Sequence, residues 1–325
     1  MNARLLPLAA AVALALVLAL SGCGGGSEED AARPAPAASE FPAAKGRTLA
    51  EIAQVPEAKL VVSPAGRTVD VGANRFAFGV FTLGGDQVDD ADIALYFAQG
   101  SEEPAQGPFP ARVDSLQTPP AFRAKTTSED PGAATSVYVV PRVEIKRPGE
   151  LEALALIRRG GKLEGTRVPS FVVGQFAKIP DVGDPAPRIH TPTAEEVGDI
   201  SEIETRIPPD SMHETDFADV LAKKPILLIF ATPQFCQSRV CGPTVDIAEE
   251  VKSRIGDQAA FIHMEVFNEN DPGKGVRPQL RAFHLETEPW AFVVGRDGRI
   301  AARFEGAFAA DELTRAVEAA TGQAG

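Results

Sequence analysis

The sequence has few of the side chains that bind soft metals or form covalent cross-links. Its 325 residues include three cysteines, three methionines and four histidines. Residues 58–178 contain none of these residue types, so a soft-metal site there has almost no ligands to use. The net charge of −13 comes without a cluster of Lys or Arg, which argues against nucleic acid as a partner.

The first 22 residues have the pattern of a signal peptide. Arg4 supplies a positive charge, residues 5–20 are almost purely Ala, Leu and Val, and the small residues Ser21 and Gly22 follow. The apolar run is shorter than the roughly 20 residues that span a bilayer, and a Gly-rich, acidic segment comes directly after it. A permanent transmembrane helix is therefore not expected.

Residues 20–23, Leu-Ser-Gly-Cys, resemble the lipobox of bacterial lipoproteins. The resemblance implies that Cys23 carries a diacylglyceryl group, becomes the first mature residue and holds the protein on the extracytoplasmic face of the cell membrane. The alternative is an ordinary cleaved signal peptide. The Gly, Ser, Glu, Ala and Pro of residues 24–45 show no hydrophobic periodicity, which predicts a disordered tether over residues 23–57.

The rest of the chain exceeds the roughly 100 to 200 residues of one domain, which predicts two. Its composition, 44% hydrophobic and 24% charged, is that of a globular protein. The first domain, residues 58–178, contains short runs of β-branched and aromatic residues separated by Gly, Pro and Asp, at 76–81, 93–97, 137–140, 151–157 and 163–171. These runs predict an all-β, immunoglobulin-like sandwich that serves as a spacer or interaction module.

The second domain, residues 182–325, alternates predicted strands and helices. Residues 225–231 are wholly apolar, which indicates a strand buried on both faces at the centre of an α/β sheet. Helices are predicted at 215–221, 243–255, 276–283 and 310–320. Further strands are predicted at 259–267, 290–294 and 299–304. Strand, helix, strand, helix, hairpin, helix is the order of a thioredoxin-like domain.

Three motifs resemble the redoxin branch of the thioredoxin-like proteins. Residues 182–187 (Val-Gly-Asp-Pro-Ala-Pro) are similar to its opening, residues 230–236 (Phe-Ala-Thr-Pro-Gln-Phe-Cys) to its strand end and nucleophilic cysteine, and residues 288–290 (Glu-Pro-Trp) to its proline before the third strand. The resemblance implies a cis peptide bond at Pro289 facing the active-site sulfur. It also marks Thr232, Phe235 and Trp290 as supporting residues.

The cysteine spacing departs from the usual C-x-x-C of this family. With Cys23 assigned to the lipid, Cys236 and Cys241 remain as a pair in an oxidising compartment. Residues five apart in a regular helix lie roughly 8 to 9 Å between Cα atoms, whereas a disulfide needs about 4.4 to 6.8 Å. Either the helix begins at Pro243 and both cysteines lie on a loop, or it begins near Cys236 and must unwind for bridging.

We hypothesise that Cys236 is the attacking thiol and Cys241 the resolving thiol. A helix N-terminus at Cys236 and the positive charge of Arg239 would stabilise the thiolate. The favoured function is thiol–disulfide exchange with an unknown extracytoplasmic protein partner. A membrane-tethered binding or scaffold protein with a purely structural disulfide is an alternative.

A peroxidase is the third possibility, because residues 232–242 are similar to the Q-type peroxiredoxin motif. In that family the peroxidatic and resolving cysteines also stand five residues apart. Here one residue is inserted between Thr232-Pro233 and Cys236, and Leu228 replaces a family proline. The activating hydroxyl is therefore expected to be displaced from the sulfur.

No metal or other cofactor is predicted. His263 lies in an apolar strand, His284 ends a helix, and His190 and His213 lie in polar loops, so no pair has a recognisable ligand spacing. Copper-delivery proteins of this fold use two cysteines and a histidine before the later strand, where this chain has Pro289 and Trp290. The four histidines are therefore assigned structural roles.

Overall fold

The computed structural model of the protein describes residues 32–236 and 238–322. The predicted signal peptide and Cys23 lie outside these residues. None of the helices in this part of the chain has both the length and the apolarity that crossing a membrane requires.

Residues 33–57 are ordered, which corrects the predicted disordered tether of residues 23–57. Arg33 exchanges two backbone hydrogen bonds with Val113, with N···O distances of 2.8 and 2.9 Å. Helix α1 (Leu49–Ile52) follows, and its two terminal side chains are buried with Phe41 and Tyr96 in one apolar cluster. The polar and small residues of segment 24–45 predict disorder, but the segment also contains Phe41. Burial of Phe41 offsets part of the conformational entropy that is lost when the segment becomes ordered.

Residues 60–173 form two four-stranded antiparallel sheets with a shared core. One sheet has the order β1-β2-β6-β5 and the other has the order β4-β3-β7-β8. A β-sandwich is therefore present, and its immunoglobulin-like type stays a prediction. The elements are β1 (Leu60–Pro64), β2 (Gly72–Thr82), β3 (Asp92–Ala98), β4 (Gln106–Pro110), β5 (Arg112–Ser115), α2 (Lys125–Ser128), β6 (Ser136–Ile145), β7 (Gly149–Arg159) and β8 (Lys162–Val173).

The sheet that contains β2 and β6 is buried on both faces. Successive side chains of a strand point to opposite faces. On β2, Phe78 packs in the core of the sandwich, whereas its neighbour Ala77 belongs to a second core that continues into the α/β region. On β6, Tyr138 packs in the core of the sandwich, and its neighbour Val139 packs in the second core. The sandwich and the α/β region are therefore joined by a common hydrophobic core.

The α/β region has a four-stranded sheet of order β10-β9-β11-β12 among the described residues. Strand β10 is parallel to β9, and β11 is antiparallel to both β9 and β12. This arrangement is thioredoxin-like, as predicted. Its elements are α3 (Ala194–Val197), α4 (Phe217–Val220), β9 (Ile226–Phe230), α5 (Cys241–Ile255), β10 (Ala260–Met264), α6 (Pro278–Ala282), β11 (Trp290–Val294), β12 (Ile300–Glu305) and α7 (Ala310–Thr321).

The prediction that the apolar run of residues 225–231 forms a central strand is confirmed. Strand β9 lies between β10 and β11, and each of its side chains is buried. Leu227 and Ile229 pack in the cluster that includes residues of α5 and α7, whereas Leu228 and Phe230 pack with Phe283 on the opposite face. Burial on both faces explains why no polar residue interrupts this run.

A partly buried ion-pair network crosses the junction between the two regions. Glu312 on α7 accepts hydrogen bonds from Arg75 on β2, at 2.8 and 2.7 Å, and lies 3.4 Å from the guanidinium of Arg112 on β5. Burial by itself would raise the pKa of Glu312. The charges and hydrogen bonds of the two arginines outweigh burial and lower that pKa below its ordinary value.

We expect Glu312→Gln to lower the free energy of unfolding at neutral pH by about 1 to 3 kcal/mol, because it leaves Arg75 without its anionic partner, whereas Arg112 keeps Asp114 at 2.8 Å. The pKa of Glu312 is lowered on folding, so its contribution is complete above the unfolded-state pKa. The contribution is lost as pH falls through the folded-state pKa. Urea unfolding of both proteins at several pH values measures the difference.

The matched control for this prediction is Asp311→Asn, which removes one charge from the same turn of α7. The Asp311 side chain is 80% exposed and pairs with Arg254 at 3.3 Å, so its loss should change stability by less than about 0.5 kcal/mol. Equal effects of the two variants, or an effect of Glu312→Gln that persists at low pH, would contradict a role for the buried ion pairs.

Candidate functional site

Cys236 and Cys241 form a disulfide bond, with their Cα atoms 5.9 Å apart. This distance lies within the range of about 4.4 to 6.8 Å that a disulfide allows. Helix α5 begins at Cys241, so Cys236 lies on the turn before the helix. The structure therefore differs from both arrangements that the sequence left open: one cysteine is helical and the other is not. Pro243 is in the first helical turn, where its missing N–H breaks no intrahelical bond.

The two cysteines differ in accessibility. Cys236 is half-buried, whereas Cys241 is completely buried. The N–H of Cys241 donates to Cys236 Sγ at 3.3 Å, and the hydroxyl of Ser238 lies 3.2 Å from the same sulfur. In the reduced protein these groups and the N-terminal end of α5 would favour the thiolate of Cys236. This geometry suits an attacking role for Cys236 and a resolving role for Cys241.

Arg239 connects the cysteine turn to the β-sandwich. Its backbone has a φ of 59°, and its carbonyl oxygen accepts a hydrogen bond of 3.0 Å from Ala134 N. Its guanidinium lies against Gly132, where a β-carbon would collide with it. The side chain that was expected to act on the sulfur thus packs against the loop at residues 132–134. A cleft of about 580 Å³ lies along this junction, lined by residues that include Phe81, Gln87 and Arg239.

Thr232 and Phe235 lie in the same turn but do not contact the sulfur through hydrogen bonds. Thr232 is completely buried, and its side chain interacts with Glu265. The hydroxyl beside Cys236 Sγ belongs to Ser238. The displacement expected from the inserted residue is therefore present. The ring of Phe235 makes an edge-on contact with Phe267, at 6.4 Å between centroids.

The peptide bond between Glu288 and Pro289 is cis, which confirms that prediction. Strand β11 begins at the next residue, Trp290, which pairs with Phe230 at the end of β9. Continuing this antiparallel register places Pro289 opposite Ala231, where the chain leaves the sheet towards Cys236. Trp290 is buried, and its indole N–H donates to the hydroxyl of Thr287 at 3.0 Å.

A buried cluster of two histidines and two carboxylates lies close to the cysteine turn. It consists of Glu204, Asp210, His213 and His263, and one potential ligand atom from each lies within 4.8 Å of the others. His213 and His263 show no recognisable ligand spacing in the sequence, yet the fold brings them together, with ring centroids 5.3 Å apart. The D-x-x-H spacing of residues 210–213 was the available signal in the sequence.

Short polar contacts hold this cluster together. His263 Nδ1 lies 2.7 Å from Asp210 Oδ2, and His213 Nε2 lies 3.1 Å from Glu204 Oε2. Two longer contacts of 3.5 Å join His263 Nδ1 to Glu204 Oε2 and His213 Nε2 to Asp210 Oδ1. Each imidazole therefore faces both carboxylates.

The charges of the cluster shift one another's pKa values. Burial raises the pKa of Asp210. Burial would lower the pKa of His263, but the charges of Asp210 and Glu204 raise it well above its ordinary value. The pKa of Glu204 is lowered despite its burial, chiefly by the charge of His263 and a hydrogen bond from His213. The ionised forms of the two buried carboxylates therefore depend on a positive charge close to them.

Two hydrogen-bond paths join the cluster to the cysteine turn. His263 Nε2 lies 3.1 Å from the carbonyl oxygen of Ala231. The hydroxyl of Thr205 accepts a hydrogen bond of 3.3 Å from Gln234 N and donates to Glu265 Oε1 at 2.6 Å. Burial raises the pKa of Glu265. The segment between the sheet and Cys236 is therefore bonded to the cluster at Ala231 and to Thr205, the neighbour of Glu204, at Gln234.

No protein-family profile matches the chain. No curated protein matches it. Among solved structures, a thiol:disulfide interchange protein of the thioredoxin family from Chlorobium tepidum TLS is similar, with 17% identity, a TM-score of 0.30, and coverage of 42% of this chain and 95% of that protein. A thiol:disulfide interchange protein from Chlorobium tepidum assigned as DsbE has 16% identity, a TM-score of 0.32, and coverage of 44% and 99%.

Similarity at this level carries no argument about function. The thioredoxin-like class of this α/β region follows instead from its own sheet order and strand directions. The candidate functional site is the cysteine turn with its surroundings.

We expect the two thiols of the reduced protein to react with an alkylating reagent at different rates. Because Cys236 is half-buried and Cys241 is completely buried, Cys236 should react at least several-fold faster in the folded protein. The experiment uses a Cys23→Ser protein, so that no third thiol reacts, and peptide mass spectrometry to assign each product. Unfolding in urea is the control, because it should make the two rates similar. Faster modification of Cys241 in the folded protein would contradict the assigned roles.

Proposed function

We propose that this protein carries out thiol–disulfide exchange through Cys236 and Cys241. The observation that carries the proposal is a half-buried cysteine bridged to a completely buried one at the N-terminus of α5. A nucleophile in this position is accessible to a partner disulfide, and the buried thiol can reach only the sulfur next to it.

The exchange proceeds in two steps that conserve electrons. The Cys236 thiolate attacks a partner disulfide, which forms a mixed disulfide and releases one partner thiolate. Cys241 then attacks Cys236 Sγ, forms the intramolecular disulfide and releases the second partner thiolate. Two electrons have passed to the partner, and a dithiol reductant must reduce the Cys236–Cys241 bond again. The reverse sequence oxidises a partner dithiol.

We further propose that the exchange takes place outside the cytoplasm, on a protein held to the membrane by a lipid on Cys23. The lipobox-like residues 20–23 support this proposal. The partner would be an extracytoplasmic protein, with the immunoglobulin-like sandwich as a docking module. Support for that role comes from Gly132 and Ala134, which place the sandwich directly against Arg239 of the cysteine turn.

The reduction potential of the cysteine pair tests an exchange role against a purely structural disulfide. Using the Cys23→Ser protein, thiol trapping across a graded dithiol buffer should give a potential above about −300 mV, the range of exchange-active pairs. A much lower potential would favour the scaffold alternative and contradict the proposal.

Activity of the cysteine variants provides the second test. Cys236→Ser should lower the rate of disulfide reduction, measured with insulin and a dithiol donor, by at least about a hundredfold because the attacking thiol is gone. Cys241→Ser should instead accumulate a mixed disulfide on Cys236, visible by non-reducing electrophoresis. Cys23→Ser is the matched control and should keep full activity. Undiminished reduction by Cys236→Ser would overturn the assignment, and peroxide consumption without insulin reduction would favour the peroxidase alternative.

A further inference from the structure

We propose that Glu204, Asp210, His213 and His263 form a four-coordinate binding site for a divalent cation of the zinc class. The proposal is independent of the proposed thiol–disulfide exchange, because it concerns no cysteine. The four side chains are buried and converge at a point where segment 204–213 crosses the end of β10.

The spacing of the four side chains suits a tetrahedral ion. Zinc bonds to imidazole nitrogen and carboxylate oxygen are roughly 2.0 to 2.2 Å long, so neighbouring ligands of a tetrahedron lie about 3.3 Å apart. With one ligand atom taken from each residue, all four atoms lie within 4.8 Å of one another. The nitrogens of His263 and His213 lie 3.5 and 3.1 Å from the same oxygen of Glu204, close to the tetrahedral separation. Small side-chain adjustments would bring the Asp210 carboxylate into the same arrangement.

Backbone groups orient three of the four ligands from outside. Glu204 Oε1 accepts a hydrogen bond of 2.7 Å from Arg206 N, and Asp210 Oδ1 accepts one of 2.8 Å from Met212 N. His263 Nε2 can donate to the Ala231 carbonyl at 3.1 Å, so that Nδ1, which now contacts Asp210 Oδ2, is the nitrogen directed at the ion. Such outer hydrogen bonds fix the rotamer and tautomer of a metal ligand.

Charge and donor chemistry select the class of ion. With both imidazoles unprotonated, the two carboxylates would balance the charge of a divalent cation, and Arg206 is already occupied by its 2.9 Å ion pair with Asp246. Imidazole ligands favour zinc and neighbouring transition metals, whereas calcium and magnesium prefer an all-oxygen shell.

The site would fasten segment 204–213 to the sheet and thereby support the cysteine turn. Glu204, Asp210 and His213 belong to this one segment, whereas His263 belongs to β10. The ion would bridge the two. Because His263 contacts Ala231 and Thr205 contacts Gln234, the bridge lies directly behind the turn that carries Cys236.

The test titrates the disulfide-intact Cys23→Ser protein, whose bridged sulfurs are not available as ligands, after treatment with a chelator. Zn²⁺ should bind with a stoichiometry of one in competition with a chromogenic chelator and should raise the Tm. Co²⁺ should give the intense visible d–d absorption of a four-coordinate ion. His213→Gln should weaken Zn²⁺ binding by more than about a hundredfold.

The matched control is His190→Gln, because the His190 side chain is 82% exposed and belongs to no cluster with another histidine in the described chain. This variant should bind Zn²⁺ as the parent does. The titration of the parent protein decides the proposal even if His213→Gln does not fold. Failure of the parent to bind Zn²⁺ and Co²⁺, a six-coordinate Co²⁺ spectrum, or binding that survives in folded His213→Gln would each overturn the site.

Discussion

The structure depends on burial of strand β9 on both faces. Its five side chains alternate between two apolar cores, and its backbone is paired on one side with β10 and on the other with β11. A strand held in this way cannot shift its register without exposing apolar surface. Its carboxyl end is therefore a fixed point, and Ala231 leaves the sheet beside Pro289 and within hydrogen-bond distance of His263. The cysteine turn is built on that fixed point.

The fold was predictable largely because its signals are local. The apolar run at residues 225–231 and the helical spacing of residues 310–320 each identify an element without reference to the rest of the chain. The pair Gly160-Gly161 is also a local signal for a tight turn, which it forms between β7 and β8 with φ values of 57° and 77°. By contrast, order in residues 33–57 depends on the distant side chains that Phe41 meets, such as Tyr96. Composition alone could not supply that contact.

The candidate site was predictable only in part for the same reason. Cys236, Cys241 and Pro289 lie in short sequence motifs. The orientation of the Arg239 side chain instead depends on its contact with Gly132, which is more than a hundred residues away in the sequence. Helical geometry correctly excluded a disulfide within one regular helix. It could not decide which cysteine would be helical, because Cys241 occupies the first position of α5 through contacts with a core formed by both regions.

The histidine and carboxylate cluster illustrates the limit of spacing rules. Its fourth member comes from β10, 50 positions after His213, so no short motif contains the set. Burying two carboxylates in an apolar setting is unfavourable unless a cation or hydrogen bonds compensate them. The segment leading to Cys236 is hydrogen-bonded next to these carboxylates, to His263 at Ala231 and to Thr205 at Gln234. Hydrogen bonds at Ala231 and Gln234 therefore position the start of the cysteine turn. The β-sandwich contacts the same turn at Arg239.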